Sequence, residues 1–332
     1  MTLKRVFGPV PSRRLGQSLG IDPVPLKTCN WNCVYCQLGR TQPFVTERKY
    51  FYENALILAE LQQSLDAHKP GEIDWITFVG SGETMLHAGL GEIISSVKRM
   101  TDLPVAVITN GSLFYLPEVR ESILAVDAVM PSLDAGDPDI YRRINRPHPT
   151  LTFERLTDGL IAFRKAYSGQ MWVEVMLVRG ENDNEKALRD IAYWLEKIQP
   201  DEVHVLQPDR PPSEDWVKPP LPESLALAHE ILGSVAKIMM PAHGKFDLSG
   251  EEDIIDAILG IITRHPMKES QLVDALAHWS PDDVSETLKM LAESGRAKLV
   301  TRDGVCFWTA AEGHYAQGVN QRFEVGKNPK KT

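Results

Sequence analysis

From residue 16 to about 240 the chain alternates short apolar or β-branched runs with longer stretches of helical period, and no other feature limits its fold as strongly. The strand candidates are QSLGID (17–22), DWITFVG (74–80), PVAVITN (104–110), DAVMPSLD (127–134), WVEVMLV (172–178) and DEVHVLQ (201–207). Between them, 53–68, 90–100, 152–167 and 184–198 carry apolar residues at spacings of three and four, and a shorter helical stretch falls near 117–124. Strands separated by helices pair in parallel, because the intervening helix is the crossover that a parallel partner needs. Right-handed crossovers then build either a barrel or an open doubly wound layer, and periodicity leaves both open.

Both architectures gather ligands at the carboxyl ends of the strands. The segments just after the strands are polar and Gly-rich: GSGET, TNGS, SLDAGD, RGEND and QPDRPP. Single cores stop growing at roughly 250–300 residues, so a chain of 332 residues is expected to divide. After the Pro-rich stretch 208–224, a last helix, LALAHEILGSVAKIM, closes a first domain expected over 1–245. A second, expected over 250–312, offers three short helices: EEDIIDAILGIITRH, KESQLVDALAHW and PDDVSETLKMLAESG. RAKLV and VCFWT then flank TRDG, where Asp-Gly suits a type I′ hairpin turn. Three helices and a β-ribbon are the order of a winged helix-turn-helix. The polar, basic end, 313–332, reads as a solvated tail.

With 43% hydrophobic and 24% charged residues, the chain is composed like a packed globular protein. It has no run near the roughly 20 apolar residues that span a bilayer, and its first residues lack the apolar stretch of a signal peptide. A cytoplasmic protein without a membrane partner is expected. A net charge of −9 gives no general attraction to nucleic acid. In the would-be recognition helix Asp282, Asp283, Glu286 and Glu293 stand against Lys289, the wrong sign for a phosphate backbone. DNA is not an expected partner.

Three of the four cysteines fall within KTCNWNCVYCQLG (27–39). In a reducing compartment such crowding means metal ligands or redox groups rather than disulfides. Structural zinc sites take four ligands, and the fourth cysteine, Cys306, lies in the hairpin of the other unit, where Val305 and Phe307 suggest a buried apolar thiol. A thioredoxin-like pair uses Cys33 and Cys36 and leaves Cys29 idle. A [4Fe–4S] cluster held by Cys29, Cys33 and Cys36, with one iron open, employs all three.

With Tyr35 before the last cysteine, this motif resembles that of the radical S-adenosylmethionine (radical SAM) enzymes. The resemblance implies a partial (β/α)6 TIM-like barrel carrying the C-terminal winged-helix-like domain, a [4Fe–4S] cluster on the three cysteines, and S-adenosylmethionine (SAM) as second cofactor. GSGET is similar to the family's Gly-Gly-Glu element, so Gly80, Ser81 and Gly82 are expected to meet the methionyl amine with Glu83 bracing the turn. TNG and SLDA resemble segments that line SAM, which makes Asn110, Ser132 and Asp134 candidate contacts, together with Tyr35. VEVMLVRGEND resembles the element packing the adenine, adding Val178 and Gly180. The implied reaction is reductive cleavage of SAM to a 5′-deoxyadenosyl radical that takes hydrogen from a substrate. It implies as partners a substrate (small molecule, peptide or RNA) and a low-potential reductant such as flavodoxin or ferredoxin.

GPVPSRRLGQSLGID, ITNGSL, PSLDAGD and RINRP look most like the Fe–S oxidoreductases grouped with the wyosine-forming tRNA enzymes, although the chain has no cysteine before Cys29 for a second cluster. A tRNA-modifying enzyme and a redox-sensing regulator acting through the winged helix are the alternatives. Guanidinium forks suit phosphate or carboxylate groups, so Arg13, Arg14, Arg142, Arg143 and Arg146 are candidate substrate contacts, with Gln207, Asp209 and Arg210 after the sixth strand. Surface ion pairing is the competing explanation for the arginines. His87, His148 and His204 are expected to be structural.

Overall fold

A computed structural model describes residues 4–12, 14–240 and 253–316. Eight strands follow one another across a single sheet in sequence order: β1 (Val6–Ser12), β2 (Gly16–Ile21), β3 (Trp75–Phe78), β4 (Val105–Thr109), β5 (Ala128–Pro131), β6 (Gln170–Met176), β7 (Glu202–Leu206) and β8 (Ala236–Ile238). β1 pairs antiparallel with β2, and every later pairing is parallel. A doubly wound sheet reverses its strand order at a switch point, whereas this order never reverses, which is the barrel arrangement.

The connecting helices are α1 (Asn54–Ala67), α2 (Leu90–Met100), α3 (Pro117–Ser122), α4 (Pro138–Ile144), α5 (Phe153–Ala166), α6 (Glu185–Ile198) and α7 (Pro222–Leu232). Each long helix turns its apolar stripe to the sheet; α2 buries Leu90, Ile93, Ile94 and Val97, and α6 buries Leu188, Ile191, Leu195 and Ile198. Successive strand residues face opposite ways. Ile76, Phe78, Val105, Val107, Val173 and Val175 meet the helices in the main core, while Ala106, Ala128, Met130 and Leu15 pack on the other face. Sheets buried on both faces need such nearly continuous apolar strands.

Two strands and one helix depart from expectation. β1 holds Pro9 and Pro11, which remove ladder donors, and it lies at the edge of the sheet where proline is tolerated. The helix expected to run through 239 stops at Leu232, because Gly233 takes φ +81° and the chain re-enters the sheet as β8. The sheet therefore carries β1 and β8 at its two edges beside the six expected strands. α4 falls outside the helical stretches expected from periodicity. Pro138 opens it and the Asp137 carboxylate accepts from the backbone N–H groups of Asp139 and Ile140, so capping supplies what a short stripe of Tyr141 and Ile144 does not.

The C-terminal unit contains α8 (Ile254–Arg264), α9 (Glu269–Ala275), α10 (Pro281–Glu293) and the antiparallel pair β9 (Ala297–Arg302) and β10 (Val305–Ala310). Ile258, Ile262, Leu272, Leu288 and Trp308 form its own core. Asp303 and Gly304 both take positive φ at the hairpin tip, as a type I′ turn requires. Cys306 sits next to that tip opposite Thr301 and is exposed, so the buried thiol expected there is corrected. Packing extends past 312: Tyr315 and Ala316 are buried, whereas residues 317–332 of the expected tail lie outside the described residues. Among the described residues no helix is long and apolar enough to cross a membrane.

Candidate functional site

Cys29, Cys33 and Cys36 lie on the irregular connection after β2, free and half-buried. Each sulfur faces an N–H donor: the backbone of Trp31 lies 3.4 Å from Cys29 Sγ, Asn145 Nδ2 is 3.8 Å from Cys33 Sγ, and Lys27 Nζ is 3.3 Å from Cys36 Sγ. Burial, helped by the Glu83 carboxylate, pushes the Cys29 thiol up to about 12. Burial raises Cys33 as well, reinforced by Cys29 and Cys36, so the three sulfurs share one electrostatic neighbourhood. Thiols that oppose one another's ionisation, yet have donors waiting for thiolates, suit a metal group that binds deprotonated sulfur.

The turn after β3 docks on this loop. Lys27 N donates to Ser81 O at 2.6 Å, and Glu83 N donates to Thr28 O at 2.8 Å. A Cβ on Gly82 would lie 1.9 Å from Thr28 O, so only glycine permits the approach. Glu83 is buried and accepts from Met85 N (2.9 Å), Thr109 Oγ1 (2.6 Å) and Asn110 N (2.7 Å). Burial raises its carboxyl, and these three donors oppose that shift. Asn110 in turn donates through Nδ2 to Asn30 Oδ1 at 2.8 Å, and Asn30 donates to Ser112 Oγ at 2.9 Å. The turns after β3 and β4 and the cysteine loop thus form one hydrogen-bonded body.

A second network ties the turn after β5 to the same loop. Asp134 accepts from Tyr35 OH, from Asn145 Nδ2 at 2.6 Å and from Met176 N at 2.8 Å. Burial pushes its carboxyl up to about 6 against those donors. Ser132 continues β5 by bridging to Glu174. Val178 is buried with Val34, Ile144 and Val217 beneath Tyr35, and Gly180, at φ +76°, donates to Asp183 Oδ1 in the turn beyond.

A cavity of about 270 Å³ opens between Cys33, Cys36, Tyr35, Gly80 and Met176 on one side and Asp209, Arg210 and His265 on the other. Arg210 Nη1 donates to Gln37 Oε1 at 2.9 Å and lies 3.3 Å from His265 Nδ1, so the far wall is shared between the barrel and the end of α8. Gln207 does not line it. The other candidate arginines stand elsewhere. Arg14 occupies the β1–β2 turn, at the end of β2 opposite the cysteine loop, paired with Glu174. Arg142 pairs with Asp139, and Arg143 pairs with Glu181 at 2.5 Å, both on the exposed face of α4. Arg146 meets Glu214 at 2.6 Å, which also holds Arg40 at 2.8 Å. Arg13 lies outside the described residues.

Sequence reasoning did not single out Asn30, Lys27, Asn145 or the α8 residues Arg264 and His265. The first two stand inside the cysteine motif, and Asn145 inside RINRP, so proximity to a motif was the available signal; for α8 there was none.

The Radical SAM superfamily matches residues 24–191. A UPF0026 protein of Methanocaldococcus jannaschii is 35% identical over 331 residues, covering 97% of this chain and 99% of that protein. A protein of Brachyspira hyodysenteriae named GTPase Obg is 38% identical over 312 residues, 91% of this chain, and the chain spans 44% of its length. Among solved structures, a radical SAM methyltransferase from Sphaerobacter thermophilus superposes with a TM-score of 0.52 at 16% identity, covering 67% of this chain and 66% of that one; this likeness concerns the fold.

Proposed function

The chain belongs to the radical SAM superfamily, and on that premise we propose how its residues divide the work of a radical SAM enzyme. Members of the family bind a [4Fe–4S] cluster and SAM. Together these supply one-electron cleavage of the SAM C–S bond, giving methionine and a 5′-deoxyadenosyl radical that abstracts hydrogen from a substrate.

Cys29, Cys33 and Cys36 hold the cluster, with the donors from Trp31, Asn145 and Lys27 favouring their ionised forms. A cluster held by these three cysteines, with Cys306 far along the chain in the hairpin, would have one iron free to take SAM through its amine and carboxylate. Gly80, Ser81 and Gly82 present backbone to the amine, and Glu83 braces them without touching the ligand. Asn110, Ser132, Asp134 and Tyr35 line the methionyl and ribose side, and Val178 and Gly180 support the adenine side at one remove. Asp209 and Arg210 orient the substrate from the far wall; Arg14, Arg142, Arg143 and Arg146 serve ion pairs instead.

We assign the described residues up to 240 to the barrel and read 253–312 as a winged-helix-like unit used as a cover for the mouth rather than for DNA; the expected boundary at 245–250 lies outside the described residues. A low-potential protein such as flavodoxin or ferredoxin delivers the electron.

One observation carries these assignments: Glu83 joins the β3 and β4 turns, and Asn110 joins them to the cysteine loop, whose Cys33, Tyr35 and Cys36 line a cavity together with Gly80. The test is anaerobic reconstitution with iron and sulfide, then dithionite and SAM, with 5′-deoxyadenosine read by mass spectrometry. Formation by the wild type and its abolition in Cys33→Ala is the expected result. Undiminished formation by Cys33→Ala would remove that cysteine from the cluster.

A further inference from the structure

Arg264, at the C-terminal end of α8, is a charged side chain taken almost wholly out of water, with 6% of its surface exposed. Its Nε lies 3.2 Å from Asp22 Oδ2, its Nη2 donates to Lys4 O at 2.7 Å, its Nη1 donates to Gly260 O at 3.2 Å, and its guanidinium stands 4.2 Å from the Phe7 ring centre. Asp22, just past β2, is equally buried at 3%. Both of its oxygens are engaged by one residue of the turn after β3: Ser81 N donates to Oδ1 at 3.1 Å and Ser81 Oγ to Oδ2 at 2.6 Å.

Burying two charges stabilises a fold little in itself, because desolvation offsets most of their attraction. What the pair does is fix an orientation. The carboxylate that faces Ser81 is held from behind by a cation from the other unit, while Lys27 N grips the opposite side of the same residue through Ser81 O. Ser81 is also where GSGE departs from a Gly-Gly-Glu element, and a glycine there has no hydroxyl to give to Asp22.

We propose that Arg264 is a positioning residue of the C-terminal unit, setting the SAM-binding turn through Asp22 and Ser81. The relay makes cofactor affinity depend on how the unit sits on the barrel. It rests on the reading of Gly80–Glu83 as the SAM turn. All three members also line a second cavity, of about 530 Å³, between the two units, so whatever enters that space meets the relay directly.

The experiment is a double-mutant cycle on the full-length, cluster-loaded protein, measuring the SAM dissociation constant by equilibrium dialysis for wild type, Arg264→Gln, Ser81→Ala and the double variant. Each single change is expected to weaken binding about ten-fold, and the double to be no weaker than the worse single, because both cut one path. Arg264→Lys, which keeps the charge but not the fork, recovers part of the loss. It also replaces Arg264→Gln in the cycle if iron content shows that the glutamine variant does not fold. Additive losses, or an Arg264 variant that binds SAM like wild type while losing only thermal stability, would overturn the relay. A loaded wild type that does not bind SAM overturns the underlying reading as well, so the two failures are told apart.

Discussion

At the scale of single residues, the site depends on a few buried polar groups whose partners come from distant parts of the chain. Glu83 is the clearest, since two backbone N–H groups and a hydroxyl have it as acceptor. Glu83→Ala leaves those donors buried without a partner, a loss of about 3 kcal/mol in stability by denaturant titration. A loss below about 1 kcal/mol would mean that solvent reaches the turn. The cysteines and Glu83 were legible in the sequence because their chemistry is packed into short motifs. Asn145 and Arg264 were not: they meet Cys33 112 positions away and Asp22 242 positions away, and no local pattern encodes such encounters. Their types gave no help either, since an asparagine before Arg-Pro reads as a turn and an arginine ending a helix reads as a favourable charge at its negative pole.

At the scale of elements, the six central strands and the long helices were legible because each repeats its period over several turns or a full strand. β1 is broken by prolines, β8 and α4 are short, and all three are held by context, an edge position, a glycine stop and a cap. His87 shows how one such short element is secured. It is fully buried after the 3-10 turn Thr84–Leu86, its Nε2 lies 2.9 Å from Asn54 Oδ1, and its Nδ1 accepts from Phe51 N at 3.3 Å. That arrangement uses one nitrogen as donor and the other as acceptor, which is the neutral ring. Burial, with Arg48 adding to it, lowers the imidazole from 6.5 to about 4. Between these values the unfolded chain binds more protons than the folded one, so the stability present above pH 6.5 is lost as pH falls towards 4. Urea midpoints at pH 7 and pH 5 should therefore fall less steeply in His87→Gln than in wild type. Equal slopes in the two proteins would show that the ring titrates freely in the fold.

At the scale of the whole molecule, the chain's C-terminal part closes on its beginning, and this was the least legible level. Three helices and a hairpin were readable from period and turn chemistry, but not the surface they cover. The segment following β10 lies along the cysteine loop: Arg40 N donates to His314 O at 2.5 Å, Tyr315 OH donates to Gln37 O at 2.7 Å, and Ala316 N donates to Ser213 O at 3.0 Å. Gly39 allows this contact twice over. It takes φ +82°, a left-handed conformation costing other residues roughly 1–2 kcal/mol, and a Cβ there would stand 2.3 Å from His314 O. Gly39→Ala should consequently lever 313–316 off a loop whose third cysteine is three residues away, while the separate core of the barrel stays intact. The expected signature is unchanged far-UV circular dichroism with faster loss of the reconstituted protein's visible cluster absorbance in air. If the variant keeps its absorbance as long as wild type, the C-terminal segment does not shield the loop. The coupling between units would then rest on the contacts of Arg264 and of His265 with Arg210.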